Sequence, residues 1–182
     1  MPVNEVLRLG HPVLRRVADE VALDDFHTLE FANLIQDLKD TLVEQGGIGL
    51  AAPQIGVSLR VAIIEIEAGL TRYGELEAMP LTVFVNPKVK VLSLDTAGYW
   101  EGCLSVPGMR GFVERPQHIL VSYLDAEAVS QTIELTGFLA TVFQHEFDHL
   151  DGKLYVDHIR DMRLFAYEPE FDRFVAPQLD QE

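Results

Sequence analysis

The order of hydrophobic and polar positions begins with a short segment around Pro12-Val13-Leu14-Arg15-Arg16-Val17 and then takes up a helical period. Phe26, Leu29, Leu34, Ile35, Leu38 and Leu42 form an apolar stripe that predicts an amphipathic helix over about residues 26–45, with Asp37 and Asp40 partly on its polar side. Asp24 and Asp25 offer N-caps for it, and Gly46-Gly47 stops it. After that the pattern changes to strands. Arg60-Val61-Ala62-Ile63-Ile64-Glu65-Ile66 reads as one, and residues 67–80, with Gly69, Gly74 and Pro80, read as a loop. Residues 82–87 and 89–92 read as short strands broken at Asn86-Pro87, because proline cannot donate to a ladder. Residues 118–124 and 129–135 predict a hairpin turning at Asp125-Ala126-Glu127-Ala128.

The hairpin leads into a second helical pattern. Phe138, Val142, His145 and His149 recur at i, i+4, i+7 and i+11, Thr136 is an N-cap candidate, and Gly152 stands where a left-handed cap would end the helix. From Asp161 a last helix is expected, followed by a polar tail from about residue 177. The order helix, strands, helix predicts an α+β fold, with mostly antiparallel sheets packed around the second helix. At 182 residues and 48% hydrophobic composition, residues 1–182 are expected to form one domain.

Charge and cysteine content narrow the function. A formal charge of −15 and a pI near 4.7 argue against a phosphate backbone as substrate. No run approaches the ~18 apolar residues of a membrane span, and residues 1–10 lack the regions of a signal peptide. The single cysteine, Cys103, suits a reducing compartment, so a cytoplasmic protein without a membrane or nucleic-acid partner is expected.

The chemistry concentrates in the second helix. Gln144-His145-Glu146-Phe147-Asp148-His149 has the form His-Glu-x-x-His, and helical positions i and i+4 lie on one face, so both imidazoles can grip one metal ion. Glu146 then stands beside the metal, where a carboxylate can take a proton from water and hand it to a leaving group. A second stretch, Gly46-Gly47-Ile48-Gly49-Leu50-Ala51-Ala52-Pro53-Gln54-Ile55-Gly56, contains Gly47-x-Gly49-x-x-Ala52, yet it follows a helix and leads into a strand, the reverse of a dinucleotide fingerprint. Its small residues permit close backbone approach, and Gln54 is its one side chain for directional hydrogen bonds.

A catalytic metal needs a third protein ligand. One protease pattern continues to a further histidine, but that position is Tyr155. Another takes a downstream glutamate, for which Glu168 or Glu170 would serve from an acidic, proline-containing segment. The third candidate is Cys103 in Trp100-Glu101-Gly102-Cys103-Leu104-Ser105, whose thiolate suits Fe(II) or Zn(II), although a lone cysteine is more often core.

Gly47-Ile48-Gly49-Leu50-Ala51-Ala52-Pro53-Gln54, Glu101-Gly102-Cys103-Leu104-Ser105 and Gln144-His145-Glu146-Phe147-Asp148-His149-Leu150-Asp151-Gly152 together resemble, in order, the three signature motifs of peptide deformylases. The resemblance spans about residues 46–152. It implies an α+β enzyme that removes the N-terminal formyl group from formyl-methionyl nascent chains, releasing formate. It further implies Cys103, His145 and His149 as metal ligands, with Fe(II) the natural ion and Zn(II), Ni(II) or Co(II) able to replace it. By the same resemblance Glu146 is the acid and base, while the Gln54 amide and the Leu104 backbone N–H form an oxyanion hole; losing one such donor typically costs about 2.7–4 kcal/mol. Ile48, Phe138 and Val142 are candidates for the methionine pocket, Gly49 and Gly102 for contact with an extended peptide, and Arg110 for contact further along it. A His-Glu-x-x-His protease or an inactive metal-binding relative are the alternatives. Family members act near the ribosome, but Glu168, Glu170, Asp172, Asp180 and Glu182 make docking through the C-terminal end unexpected; Lys153, Arg160 and Arg163 are the small basic group available.

Overall fold

The long helix α1 (Leu29–Gln45) begins later than its spacing predicts, because Leu23–His27 winds as a 3-10 turn. Neither aspartate caps it. Thr28 Oγ1 accepts the Phe31 N–H at 3.2 Å, while Asp25 serves the preceding turn by accepting the Ala22 N–H. Gly46, where the Gly-Gly pair was expected to stop the helix, closes it with φ 70° as a left-handed cap. Phe31, Leu34, Ile35, Leu38 and Leu42 are its buried face, but Leu29 is 78% exposed. Leu29 precedes Leu38 by nine residues, about 2.5 turns, and so points the opposite way.

This computed structural model describes residues 4–71 and 74–179. Its strands in chain order are β1 (Gly49–Ala51), β2 (Val61–Ile66), β3 (Gly69–Thr71), β4 (Gly74–Leu76), β5 (Met79–Val91), β6 (Thr96–Cys103), β7 (Val106–Pro116), β8 (His118–Leu124), β9 (Ser130–Thr136) and β10 (Phe165–Tyr167). They form an antiparallel five-stranded sheet in the order β1-β2-β5-β8-β9, a three-stranded sheet β10-β7-β6, and the ribbon β3-β4. The architecture is α+β.

Several segments differ from their sequence reading. The expected loop at residues 67–80 contains β3, β4 and the start of β5. Asn86-Pro87 does not end a strand; the β5–β8 register shifts between Val85 and Lys88, and Asn86 adopts φ 49°. Asn86 is held by Val21, donating to its carbonyl and accepting its N–H, both at 2.9 Å. The β6–β7 hairpin was not legible as strands, since Gly98, Gly102, Pro107, Gly108 and Gly111 interrupt its alternation. In place of a continuous helix after Asp161 there is a 3-10 turn (Met162–Leu164), then β10, then helical turns at Glu168–Glu170, Phe171–Val175 and Ala176–Leu179. These turns occupy part of the expected polar tail, and residues 180–182 lie outside the described ones.

The hairpin of β8 and β9 forms as predicted, with Asp125 Oδ1 accepting the N–H groups of Glu127 and Val129. It delivers the chain to α2 (Gly137–Asp148), which is central. Val61 and Ile63 of β2 face α1, whereas Ala62, Ile64 and Ile66 face Ala140, Phe143 and Phe147 of α2, so β2 is apolar on both sides. The opposite side of α2 meets the β6–β7 sheet. One helix between two sheets therefore has an apolar face and a face free for chemistry.

Candidate active site

His145 lies within α2, and His149 opens the 3-10 turn His149–Asp151 that follows it. Gly152 ends that turn at φ 70°, and a Cβ there would stand 2.8 Å from backbone atoms of Arg15, so both conformation and space require glycine. Thr136 occupies the N-cap position of α2, but its side chain makes no cap hydrogen bond. Across from the histidines, β6 ends at Cys103, whose Sγ is 3.4 Å from His149 Nε2. Ligand atoms of Cys103, His145 and His149 all lie within 4.8 Å of one another.

The donor set fits a metal ion. A metal–sulfur bond near 2.3 Å and a metal–nitrogen bond near 2.0–2.1 Å, at the tetrahedral angle, put the two ligand atoms about 3.5 Å apart, close to the observed spacing. His145 Nδ1 is engaged by Glu101 Oε2 at 2.7 Å, which leaves Nε2 for coordination. Glu146 Oε2 and His149 Nδ1 are buried without a hydrogen-bond partner among the described residues. Such orphaned atoms in an interior are costly unless something else completes the site. Neither Glu168 nor Glu170 joins the cluster, and Tyr155 contributes differently, stacking its ring 6.0 Å from that of His145.

Behind the ligands runs a buried chain of charges. Arg115 Nε donates to Glu101 Oε1 at 2.7 Å, Nη2 to Glu101 Oε2 at 3.1 Å, and Nη1 to Asp148 Oδ2 at 2.7 Å. His158 Nε2 lies 2.9 Å from the same Asp148 oxygen. Burial opposes ionisation of Glu101, but hydrogen bonds from His145 and Arg115 prevail and hold its carboxyl below the usual range. Burial likewise works against ionising Cys103, yet His149 and His145 bring its thiol well below normal, the state a metal ligand requires. Glu146 differs: burial raises it above an ordinary glutamate, only partly offset by the two histidines, so it is better able to hold a proton.

The turn between β6 and β7 carries Leu104 and Ser105. Gln54 reaches it from the 3-10 turn Ala52–Ile55. The Ala51 N–H donates to Gln54 Oε1 at 2.8 Å, which identifies the oxygen end of the amide and turns Nε2 towards Ser105 Oγ, 3.2 Å away, and Cys103 Sγ, 3.7 Å away. A side-chain donor and the Leu104 backbone are thus brought beside the cluster.

Ile48, Gly49, Gln54, Gly102, Leu104, Arg110, Phe138, Val142, Cys103, His145 and Glu146 line one cleft of about 560 Å³, with His149 buried at its back. Phe138 also packs edge-on against Tyr99 and into the α2 core, while Val142 is buried and Ile48 exposed at the opening. Gly49 has a sharper constraint than peptide contact. A Cβ at Gly49 would stand 2.5 Å from Glu146 Cδ, so Gly49→Ala is expected to displace that carboxyl. A misplacement of this size lowers kcat by on the order of 10²-fold with metal content unchanged, which steady-state kinetics and metal analysis together would read. Sequence reasoning gave no role to Glu101, Ser105, Asp148 or Arg115. The first three lay within the quoted motifs, but Arg115 carried no local signal.

The chain matches the polypeptide deformylase family over residues 3–164. It is 41% identical over 172 residues to a peptide deformylase of Leptospira biflexa, covering 94% of this chain and 96% of that protein. Against peptide deformylase 1 of Nitrosomonas europaea it is 46% identical over 165 residues, covering 91% and 92%. A class I type b peptide deformylase of Acinetobacter baumannii, solved with Met-Ala-Ser bound, superposes with TM-score 0.80 at 34% identity, covering 87% of this chain and 99% of that one. The Synechococcus elongatus peptide deformylase in complex with actinonin gives TM-score 0.78 at 34% identity, covering 95% and 86%. With a match of this extent joined to the site's geometry, the chain belongs to the polypeptide deformylase family, enzymes that remove the N-terminal formyl group.

Proposed function

We propose that this enzyme acts on formyl-methionyl nascent chains as a metal-dependent hydrolase, with Cys103, His145 and His149 holding the ion. The observation that carries this reading is the convergence of three ligand atoms within 4.8 Å beside the unpartnered Glu146 Oε2. Fe(II) is the resident ion we assign, and Zn(II), Ni(II) or Co(II) can take the same thiolate and imidazole donors. A bound metal supplies the Lewis acidity that makes water a nucleophile near neutral pH.

The remaining work falls to the chain. β1 and β6 are edge strands of their two sheets and both border the cleft, so an extended peptide can lie between them with its formyl group at Glu146. Val142 and Phe138, backed by the α2 core, offer an apolar slot for methionine, and Ile48 sits at the opening. Glu146 accepts a proton from water, then gives it to the departing amine as the bond to the formyl carbon breaks. Gln54 Nε2 and the Leu104 N–H face the oxygen on which negative charge develops. Formate and a free amino terminus leave.

Residues 1–182 are read as one catalytic domain. Its place is the cytoplasm, in line with its bacterial relatives and single cysteine, and no helix among the described residues is long and apolar enough to cross a membrane. Contact with ribosomes is transient and not made through the acidic C-terminal end. The test is anaerobic purification, metal analysis and formate release from formyl-Met peptides; release from internal amides instead would restore the protease reading. Cys103→Ala is expected to lower bound metal per chain while Glu168→Gln does not. With Fe(II), activity should decay in air faster than with Ni(II) or Co(II), and equal lifetimes would count against iron.

A further inference from the structure

Thr141 lies on α2 one turn before His145, so the two side chains stand one above the other on the face that borders the cleft. It lines the cleft together with Phe138 and Val142, and at 1% exposure it is a polar group set among apolar ones. Gln117, between β7 and β8, fixes how its hydroxyl is used. Gln117 Nε2 donates to the Arg115 carbonyl at 2.9 Å, which identifies the nitrogen end of that amide, and the Tyr99 hydroxyl donates to Gln117 Oε1 at 3.2 Å. The second hydrogen of Nε2 goes to Thr141 Oγ1, 3.2 Å away, so the threonine oxygen is an acceptor there and keeps its own proton. A helical threonine can spend that proton on the carbonyl four residues back, which is Gly137 here, but the Thr141 hydroxyl donates to none of the described residues. A buried donor without an acceptor is costly unless a ligand uses it.

Methionine makes poor use of such a group, because a thioether sulfur is a weak acceptor. Oxidised to the sulfoxide, the same side chain gains a strong acceptor oxygen, which a wholly apolar slot would bury unpaired at a cost in binding. We propose that the slot also takes formyl-methionine sulfoxide, with Thr141 as the specificity-determining residue that donates its O–H to the sulfoxide oxygen. The proposal rests on the cleft being the peptide site, with the first side chain of the substrate entering beside Phe138, Val142 and Thr141. The reaction itself is unaltered: water adds to the formyl carbon, the C–N bond breaks, the departing amine takes the proton, and sulfur keeps its oxidation level. Because Gln117 ties Oγ1, the proton is confined to the remaining directions, and the donor distinguishes the two epimers at sulfur.

The test measures kcat/KM by formate release on amidated formyl-Met-Ala-Ala, on its two separated sulfoxide epimers, and on formyl-norleucyl-Ala-Ala, which matches methionine in shape and has no acceptor. One epimer is expected within about tenfold of the norleucine peptide, and the other slower. Thr141→Val keeps the shape and removes the donor, so it should lower kcat/KM for the favoured epimer, relative to norleucine, by about 10–100-fold and erase the epimer preference. Thr141→Ser carries a hydroxyl again and should keep both the ratio and the preference. Equal rates for the two epimers in the unaltered enzyme overturn the proposal without any variant. A sulfoxide-to-norleucine ratio that is unchanged in Thr141→Val, or that falls as far in Thr141→Ser, overturns it as well. Failure of the unaltered enzyme to release formate from formyl-Met-Ala-Ala would instead overturn the peptide-site reading beneath it.

Discussion

Replacing Glu146 with alanine is expected to leave the metal in place and lower kcat by about 10²–10⁴-fold, the usual contribution of a positioned general acid and base. The three ligand side chains do not include Glu146, so metal analysis should show full occupancy. Glu146 is buried, its Oε2 has no hydrogen-bond partner among the described residues, and burial favours its protonated form more than in an ordinary glutamate. These properties suit a group that must accept a proton and then release it. Glu146→Gln keeps the volume that Gly49 accommodates but cannot carry the proton, so it should be about as inactive as alanine. Turnover near normal in the glutamine variant would show that the proton travels by another route.

The largest stability effect is expected at Arg115. Its guanidinium is 5% exposed and satisfies Glu101, 6% exposed, and Asp148, 16% exposed. Arg115→Met leaves both carboxylates buried without their cation, and breaking such a pair costs about 3–5 kcal/mol. At about 2–4 °C per kcal/mol for a chain of this size, Tm should fall by roughly 6–20 °C. The effect should reach the metal as well. Glu101 orients His145 through Nδ1, and disturbing a carboxylate behind a ligating histidine typically weakens metal binding by about 10–100-fold. Calorimetry and metal competition would check the two parts separately; a normal Tm with weakened metal binding would mean that the network orients His145 without supporting the fold.

These expectations show what was local in the chain and what was not. His145, Glu146 and His149 were legible because one helical turn sets their mutual position, and the hairpin before them was legible because alternation and an Asp turn are local signals. The strands β6 and β7 were not, since glycines placed for close contact erase the alternation; Gly98 faces Phe112 and Gly102 faces Arg110. Leu29 was misplaced by a stripe counted too loosely, and Asn86-Pro87 by a proline rule that a bulge satisfies. Similarly, Gly49 looked like peptide-contact backbone, yet its immediate constraint is the side chain of Glu146, 97 residues away in the sequence.

The sequence by itself determined the helix that carries two imidazoles and a carboxylate, the acidity that argues against a nucleic-acid substrate, and, by its three motifs, the family. The His-Glu-x-x-His stretch supplies only part of the centre. The chain's motifs already implied Cys103 as the third ligand, and the structure brings Cys103, not Glu168 or Glu170, to the histidines; tertiary structure alone decided that Arg115 joins Glu101 to Asp148 and that Glu168 meets Arg110 at the cleft mouth. The physical reason is that each of these contacts links residues 14 to 58 positions apart, brought together by sheet register and by packing around α2. No local period encodes such pairs; the antiparallel ladders do, once the chain has folded.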